Sequence, residues 1–209
     1  KRGTPQGGSI SPVFANIYLH YVLDLWFEKK IKPKFEGKAN LVRYADDFCF
    51  FFKKPASVET MKTLLQARLA QFGLSIAEEK THHANLSLRE NNGTHERRKM
   101  TFLGFTIYRP ENRNQTAAKT EFQTDGKRFS RAKATIKEKI RRVRHWPVEE
   151  QQKAINAVLR GHFNYYGIAG NGKRLWRFWH DTRQEWKHSL SKRSQNGRVT
   201  WERFVALLE

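Results

Sequence analysis

Two aspartates side by side, Asp46 and Asp47, interrupt the run RYADDFCFFF, which apart from Arg43 is apolar and aromatic. Asp is depleted in strands because it lacks the branched bulk that packs on a pleated surface. The residues alone leave two readings open. A carboxylate in a tight turn bonds to nearby backbone N–H groups, which makes Asp ordinary there. Adjacent carboxylates also repel each other, and a divalent cation removes that repulsion. Hard cations such as Mg²⁺ take carboxylate oxygens together with substrate phosphates, and a pair of them about 4 Å apart stabilises both the attacking and the leaving oxygen of a phosphoryl transfer.

Other chemistry-bearing residues narrow the field. Cys49 is the sole cysteine, so the chain has neither an internal disulfide nor a CxxC metal site, and a reducing, cytoplasmic setting is the simplest reading. His82 and His83 are adjacent without HExxH spacing, which argues against a zinc pair. In PQGG at residues 5–8, glycines permit close backbone approach and Gln6 offers both a donor and an acceptor. A plain loop before a helix has the same composition.

The elements that must carry these residues follow from periodicity. Ser11 as N-cap, Pro12 at the first helical position, and Phe14, Ile17, Tyr18, Tyr21 and Leu25 predict a helix from Ser11 to about Lys30. LVRY and FCFFF flank the aspartates as a strand, a tight turn and a second strand. Val58, Met61, Leu65, Leu69 and Phe72 make a second helix, closed by Gly73 as a left-handed cap. GLSIAEEKT reads as a short strand and turn, and MTFLGFTIY as a strand containing Gly104. The stretch around Arg109 to Gly126 is polar and poor in apolar residues. It suggests a division into a first domain at 1–110, a linker at 111–126 and a helical second domain at 127–209. There Phe129, Ala132, Ile136, Ile140 and Val143 form one stripe, and Ile155, Val158, Leu159, Phe163 and Tyr166 another. Leu175, Phe178, Trp179, Trp186 and Leu190 form a third, followed by a terminal helix from Trp201 to Leu208. The fold class is α+β: an antiparallel sheet with helices, followed by an all-α domain.

Charge points to the partner. The 209 residues hold 40 Lys and Arg against 20 Asp and Glu, net +20, and 13% are aromatic. Such an excess favours a polyanion, most often nucleic acid. Residues 127–144 alone carry nine Lys or Arg and one acid, Glu138. Phosphates neutralised there would release counterions, so binding would weaken steeply with salt. No apolar stretch approaches the roughly 20 residues that span a bilayer, so no membrane partner is expected.

The order of motifs carries a resemblance. YADD at Tyr44 to Asp47 resembles the YxDD signature of reverse transcriptases, and RGTPQGGSISPVFANIYLH at Arg2 to His20 resembles the block that precedes it. GLSIAEEKT and FLGF resemble the two palm motifs that follow. LRGHFNYYGI at Leu159 to Ile168 and SKRSQNGRVTWERF at Ser191 to Phe204 are similar to the maturase-specific thumb, or domain X, of bacterial group II intron-encoded proteins. The resemblance covers nearly the whole chain. It implies part of a reverse-transcriptase palm followed by a helical thumb, and a polymerase that also assists splicing of its intron RNA. The partners implied are intron RNA, an RNA template with a DNA primer, and dNTPs; the cofactor implied is Mg²⁺ in a two-metal site.

Residue roles follow from the same resemblance. Asp46 and Asp47 match the metal-binding pair, and Tyr44 matches the Tyr beside the primer end and incoming nucleotide. Ala45 occupies the variable position, where a small side chain leaves room for the primer or is merely tolerated. Gln6, Gly7 and Gly8 match the segment lying against template and nucleotide. Lys80 corresponds to the Lys that protonates departing pyrophosphate, although a solvated turn Lys reads equally well. Phe102, Leu103, Gly104 and Phe105 resemble the primer grip. In domain X, Lys137, Arg141, Arg142, Arg144, Arg160, Lys173 and Arg174 are candidates for nucleic-acid backbone contacts, and Tyr165, Tyr166, Trp176 and Trp179 for base stacking.

The family places another catalytic Asp upstream of the QGG block, a region that this sequence does not reach, so a fragment is expected. Asp24 follows the block on the predicted helix, where a surface ion pair is its expected role. By itself, then, the 209-residue chain is expected not to synthesise DNA. Two other readings stay open: an RNA-binding splicing chaperone without polymerase activity, and a reverse transcriptase of another bacterial class, which domain X disfavours. No HNH-like pattern of His and Cys follows domain X before Glu209.

Overall fold

The computed structural model describes residues 10–35, 38–54, 57–86, 99–110, 120–193 and 197–208. The chain divides into two compact units, Lys1–Leu103 and Gly104–Glu209.

The first unit opens on helix α1, Ser11–Leu19, with Pro12 in its first turn. The helical path continues through π-helical turns at His20–Asp24 and Phe27–Ile31 and a 3₁₀ turn at Lys32–Phe35. The expected single helix to Lys30 is therefore helical throughout but not uniformly α. The π turns bring Val22, Leu23, Phe27 and Ile31 into the core, all essentially unexposed, while most of the apolar face of α1 stays exposed. Strands β1, Ala39–Tyr44, and β2, Asp47–Phe52, pair antiparallel with Tyr44 opposite Asp47. Only Ala45 and Asp46 remain between them. Alternation turns Ala39, Leu41 and Arg43 inward opposite Phe52, Phe50 and Phe48, and leaves Asn40, Val42 and Tyr44 outward.

Helix α2, Ser57–Ala70, covers that inner face with Met61, Leu65 and Leu69. It ends as expected at Gly73, whose φ is +67°. Leu74 N–H reaches the Leu69 carbonyl at 3.0 Å and Gly73 N–H the Ala70 carbonyl at 3.1 Å, the paired bonds of a Schellman cap. GLSIAEEKT departs from expectation. Among the described residues it contains no strand, only a 3₁₀ turn at Glu78–Lys80 flanked by extended Ala77 and Thr81. Extended backbone becomes a strand only where a neighbour completes the ladder.

MTFLGFTIY is also two strands rather than one: β3, Lys99–Phe102, and β4, Phe105–Tyr108. Between them Leu103 and Gly104 take φ of +48° and +78°, left-handed values that interrupt extended backbone.

In the second unit β4 pairs antiparallel with β5, Glu121–Thr124, with Phe105 opposite Thr124. That strand falls within the stretch expected to be linker. Asp125 then caps helix α3, Gly126–Val143, accepting from Lys127 and Arg128 N–H at 3.0 and 3.2 Å. Helices α4, Val148–Tyr166, α5, Gly172–Ser191, and α6, Trp201–Ala206, complete the unit. Phe129, Ile136 and Ile140 meet Ile155, Leu159, Phe178, Trp186, Leu190 and Phe204 in its core. Two buried amides organise that core. Gln151 accepts from Trp186 Nε1 and donates to the Trp146 carbonyl, both at 2.8 Å. Asn171 accepts from Thr124 N–H and donates to Thr124 Oγ1 and the Tyr166 carbonyl, each at 2.8 Å.

Candidate active site and nucleic-acid surface

The β1–β2 turn presents the two aspartates at the end of a hairpin whose inner face is fixed by phenylalanines. Phe50 packs against Phe27 with ring centroids 5.3 Å apart, and Phe52 against Phe35 at 5.2 Å. Asp46 lies in the turn and Asp47 begins β2 on the outer face, directly across from Tyr44. Tyr44, Ala45, Asp46 and Asp47 are all exposed. Among the described residues neither carboxylate has an ion-pair partner, and no third His, Cys, Asp or Glu joins them in a metal-binding group.

The cation nearest to them in sequence is engaged elsewhere. Arg43 points inward and forks onto Asp24, with Nε to Oδ1 at 2.8 Å and Nη2 to Oδ2 at 2.7 Å. Its Nη1 donates to Asn16 Oδ1 and to the Ala45 carbonyl, both at 2.8 Å. One guanidinium therefore ties two helical positions to the first residue of the turn. Ala45 takes φ of +54°, a left-handed conformation that costs a non-glycine residue about 1–2 kcal/mol, and the bond to its carbonyl offsets part of that. The Arg43 hydrogen bonds hold the Asp24 carboxyl below its ordinary range, and Asp24 in turn raises Arg43. His20 Nδ1 lies 3.4 Å from the same carboxylate. The ion pair expected of Asp24 is thus real, but its side chains are only 27% and 13% exposed, which makes it part of the turn's support. Sequence reasoning missed that role for Arg43 and Asn16. The available signal was strand alternation, which sends Arg43 away from the aspartates.

The other sequence-derived residues divide. Gln6, Gly7 and Gly8 lie outside the described residues. Lys80 ends the exposed 3₁₀ turn, and no described contact joins it to the aspartate turn. Phe102 ends β3 and Leu103 is left-handed. In the second unit Gly104 is left-handed too, and a Cβ there would stand 3.0 Å from Tyr166 Oη. Phe105 stacks on Tyr165 at 6.0 Å and meets Tyr166 edge-on at 5.2 Å, so these aromatics are engaged in packing. Cys49 is half-buried, and burial pushes its thiol up to about 11, which makes it a poor nucleophile.

On the second unit Lys137, Arg141, Arg142, Arg144, Arg160 and Lys173 are exposed, and Arg174 is half-buried over the Phe129 ring at 4.9 Å. The basic face of α3 is less one-signed than its own sequence implies. Asp181 and Glu185 of α5 reach across to Lys133 at 2.7 Å and Lys137 at 3.3 Å, and Glu138 pairs with Arg142. Arg141, Arg160 and Lys173 have no carboxylate partner among the described residues. No helix among those residues is long and apolar enough to cross a membrane.

Residues 1–107 match the family model described as reverse transcriptase (RNA-dependent DNA polymerase), and residues 129–204 match that of the group II intron maturase-specific domain. No curated protein matches the chain. The two matched regions keep the order that the motifs set out, with the aspartate hairpin in the first and the basic helices in the second. The chain belongs to the reverse-transcriptase family and is a group II intron reverse transcriptase/maturase.

Proposed function

We propose that Asp46 and Asp47, at the β1–β2 turn, are part of the metal-binding centre for template-directed nucleotidyl transfer, in which the whole protein adds a dNTP to the 3′ end of a DNA primer on an RNA template. The observation that carries this reading is a carboxylate pair without an ion-pair partner among the described residues: Asp46 and Asp47 are exposed and adjacent, while Arg43, the cation nearest in sequence, is bound to Asp24. Such a donor set fits Mg²⁺, a hard cation that accepts carboxylates and phosphate oxygens together. When bound, the metal neutralises charge on the attacking and leaving oxygens. Tyr44 shares the outer face with Asp47 and borders the primer end and nucleotide, and Ala45 leaves space beside them. Gln6, Gly7 and Gly8 line the template and nucleotide, Lys80 donates a proton to pyrophosphate, and Phe102 to Phe105 hold the primer backbone.

The second unit binds intron RNA and the template–primer through its cations, with Arg141, Arg160 and Lys173 meeting phosphates and Lys137, Arg142, Arg144 and Arg174 alongside. The setting proposed is the cytoplasm, consistent with the single free thiol.

Mn²⁺, a paramagnetic stand-in for Mg²⁺, tests the centre directly. Relaxation enhancement on adding Mn²⁺ to the chain is expected, and it is expected to disappear in the Asp46→Asn/Asp47→Asn double variant. Equal enhancement in both proteins rules the turn out. RNA binding is tested separately by the salt slope, which should become shallower by about one for each phosphate left unneutralised when Arg141, Arg160 and Lys173 are changed to Gln.

A further inference from the structure

Helix α5 has a face that neither its core packing nor its partner α3 uses. Phe178, Thr182, Trp186 and Leu190 turn inward, and Asp181 and Glu185 turn toward the lysines of α3. Among the residues that remain is a stripe at helical spacing: Trp176, His180, Gln184, Lys187, His188 and Ser191. It contains no carboxylate. Trp176, 62% exposed, stacks on His180 with centroids 5.0 Å apart and planes 16° from parallel.

At the far end the stripe becomes one wall of an open cleft of about 350 Å³, which Arg198 and Trp201 close from the other side. Ser191 builds the joint, donating to the Lys187 carbonyl at 3.0 Å and accepting from Val199 N–H at 3.2 Å. That bond fixes the segment entering α6, whose N-cap is Thr200. Trp201 is 42% exposed. Its ring is held by an edge contact with Phe204 at 5.6 Å, with Lys187 Nζ 5.1 Å and Arg183 Cζ 5.9 Å from its centroid.

We infer that this cleft takes one unpaired nucleotide of a single-stranded RNA, with the base displacing the Lys187 ammonium from the Trp201 ring, the phosphates at Lys187 and Arg198, and the strand continuing along α5 toward His180 and Trp176. The inference rests on the reading of the second unit as RNA-binding, but uses none of the cations assigned above. The chemistry is that of single-strand recognition, in which an aromatic platform accepts any base face and nearby cations follow the backbone. Gln184 and His188 supply hydrogen-bonding edges for base or sugar. Duplex RNA cannot use the platform, because its bases are already stacked.

The probes are a short fluorescein-labelled oligouridylate, the matching oligothymidylate and a hairpin RNA duplex, titrated against the chain with fluorescence anisotropy. Trp201→Ala should weaken the oligouridylate about tenfold, a typical effect for one stacked base, and leave the duplex within about twofold. Trp201→Phe keeps a ring and should retain most of the affinity, which separates stacking from any loosening of α6. A Trp201 effect shared by oligothymidylate marks a site for unpaired nucleotides of either sugar; an effect confined to RNA adds the 2′-hydroxyl to what is read. Unchanged oligouridylate binding in Trp201→Ala, or equal weakening for duplex and single strand, overturns the inference. Failure of the unaltered chain to bind either RNA instead removes the RNA-binding reading itself.

Discussion

Arg43→Ala would delete four hydrogen bonds at once and leave the Asp24 carboxylate with only His20 beside it. The magnitude lies between two limits. An exposed ion pair contributes about 0.2–1 kcal/mol, and removing one partner of a fully buried pair costs about 3–5 kcal/mol. With 13% and 27% of the two side chains exposed, a destabilisation of about 2–3 kcal/mol follows. In urea, with a slope near 2 kcal/mol/M, that is a midpoint lower by about 1–1.5 M. Arg43→Lys keeps the charge but not the planar fork, and should fall roughly midway. The effect should also reach function, because the bond from Nη1 to the Ala45 carbonyl no longer holds the turn: Mn²⁺ affinity should drop in both variants although neither removes a metal ligand. Arg43→Ala that unfolds within about 0.5 kcal/mol of the unaltered chain and binds Mn²⁺ equally well would refute the reasoning.

Three further outcomes follow from the same geometry. Because the folded pKa of Asp24 is depressed by Arg43, its contribution to stability is present above the ordinary carboxylate value and is lost as pH falls through the lower folded one. Urea midpoints measured below about pH 4 should therefore fall less steeply in Asp24→Asn than in the unaltered chain. Gln151→Ala strands the Trp186 N–H inside the helical core and should cost about 2–4 kcal/mol, combining a broken hydrogen bond with a small cavity, read as a lower denaturation midpoint of the second unit. Gly104→Ala places a methyl group 3.0 Å from Tyr166 Oη on backbone at φ +78° and should destabilise by about 1–2 kcal/mol, measurable by the same titration.

Much of this organisation is legible in the residues themselves. The aspartate hairpin is announced by two apolar runs with three residues, Ala45 to Asp47, between them, and Gly73 by its place after a helical stripe. These signals are local. What the sequence conceals depends on distant partners or on rare backbone. Leu103 in a left-handed conformation contradicts the preference of its side chain, so MTFLGFTIY reads as continuous strand although left-handed backbone at Leu103 and Gly104 interrupts it. Glu121–Thr124 looks like linker because its hydrogen-bond partner, β4, lies across a polar segment. The α3 lysines look unopposed because Asp181 and Glu185 are more than forty positions away. The support of the turn is hidden for the same reason, since no rule of spacing links Arg43 to Asn16 and Asp24.

The central claim is that Asp46 and Asp47 hold the metal for nucleotide addition. It is tested most directly by primer extension on an RNA template with Mg²⁺, using the complete encoded protein with Asp46 intact or changed to Asn. Asp46→Asn should abolish extension while RNA affinity and urea midpoint stay close to those of the unaltered protein. Extension at an undiminished rate by the folded, RNA-binding variant would contradict it.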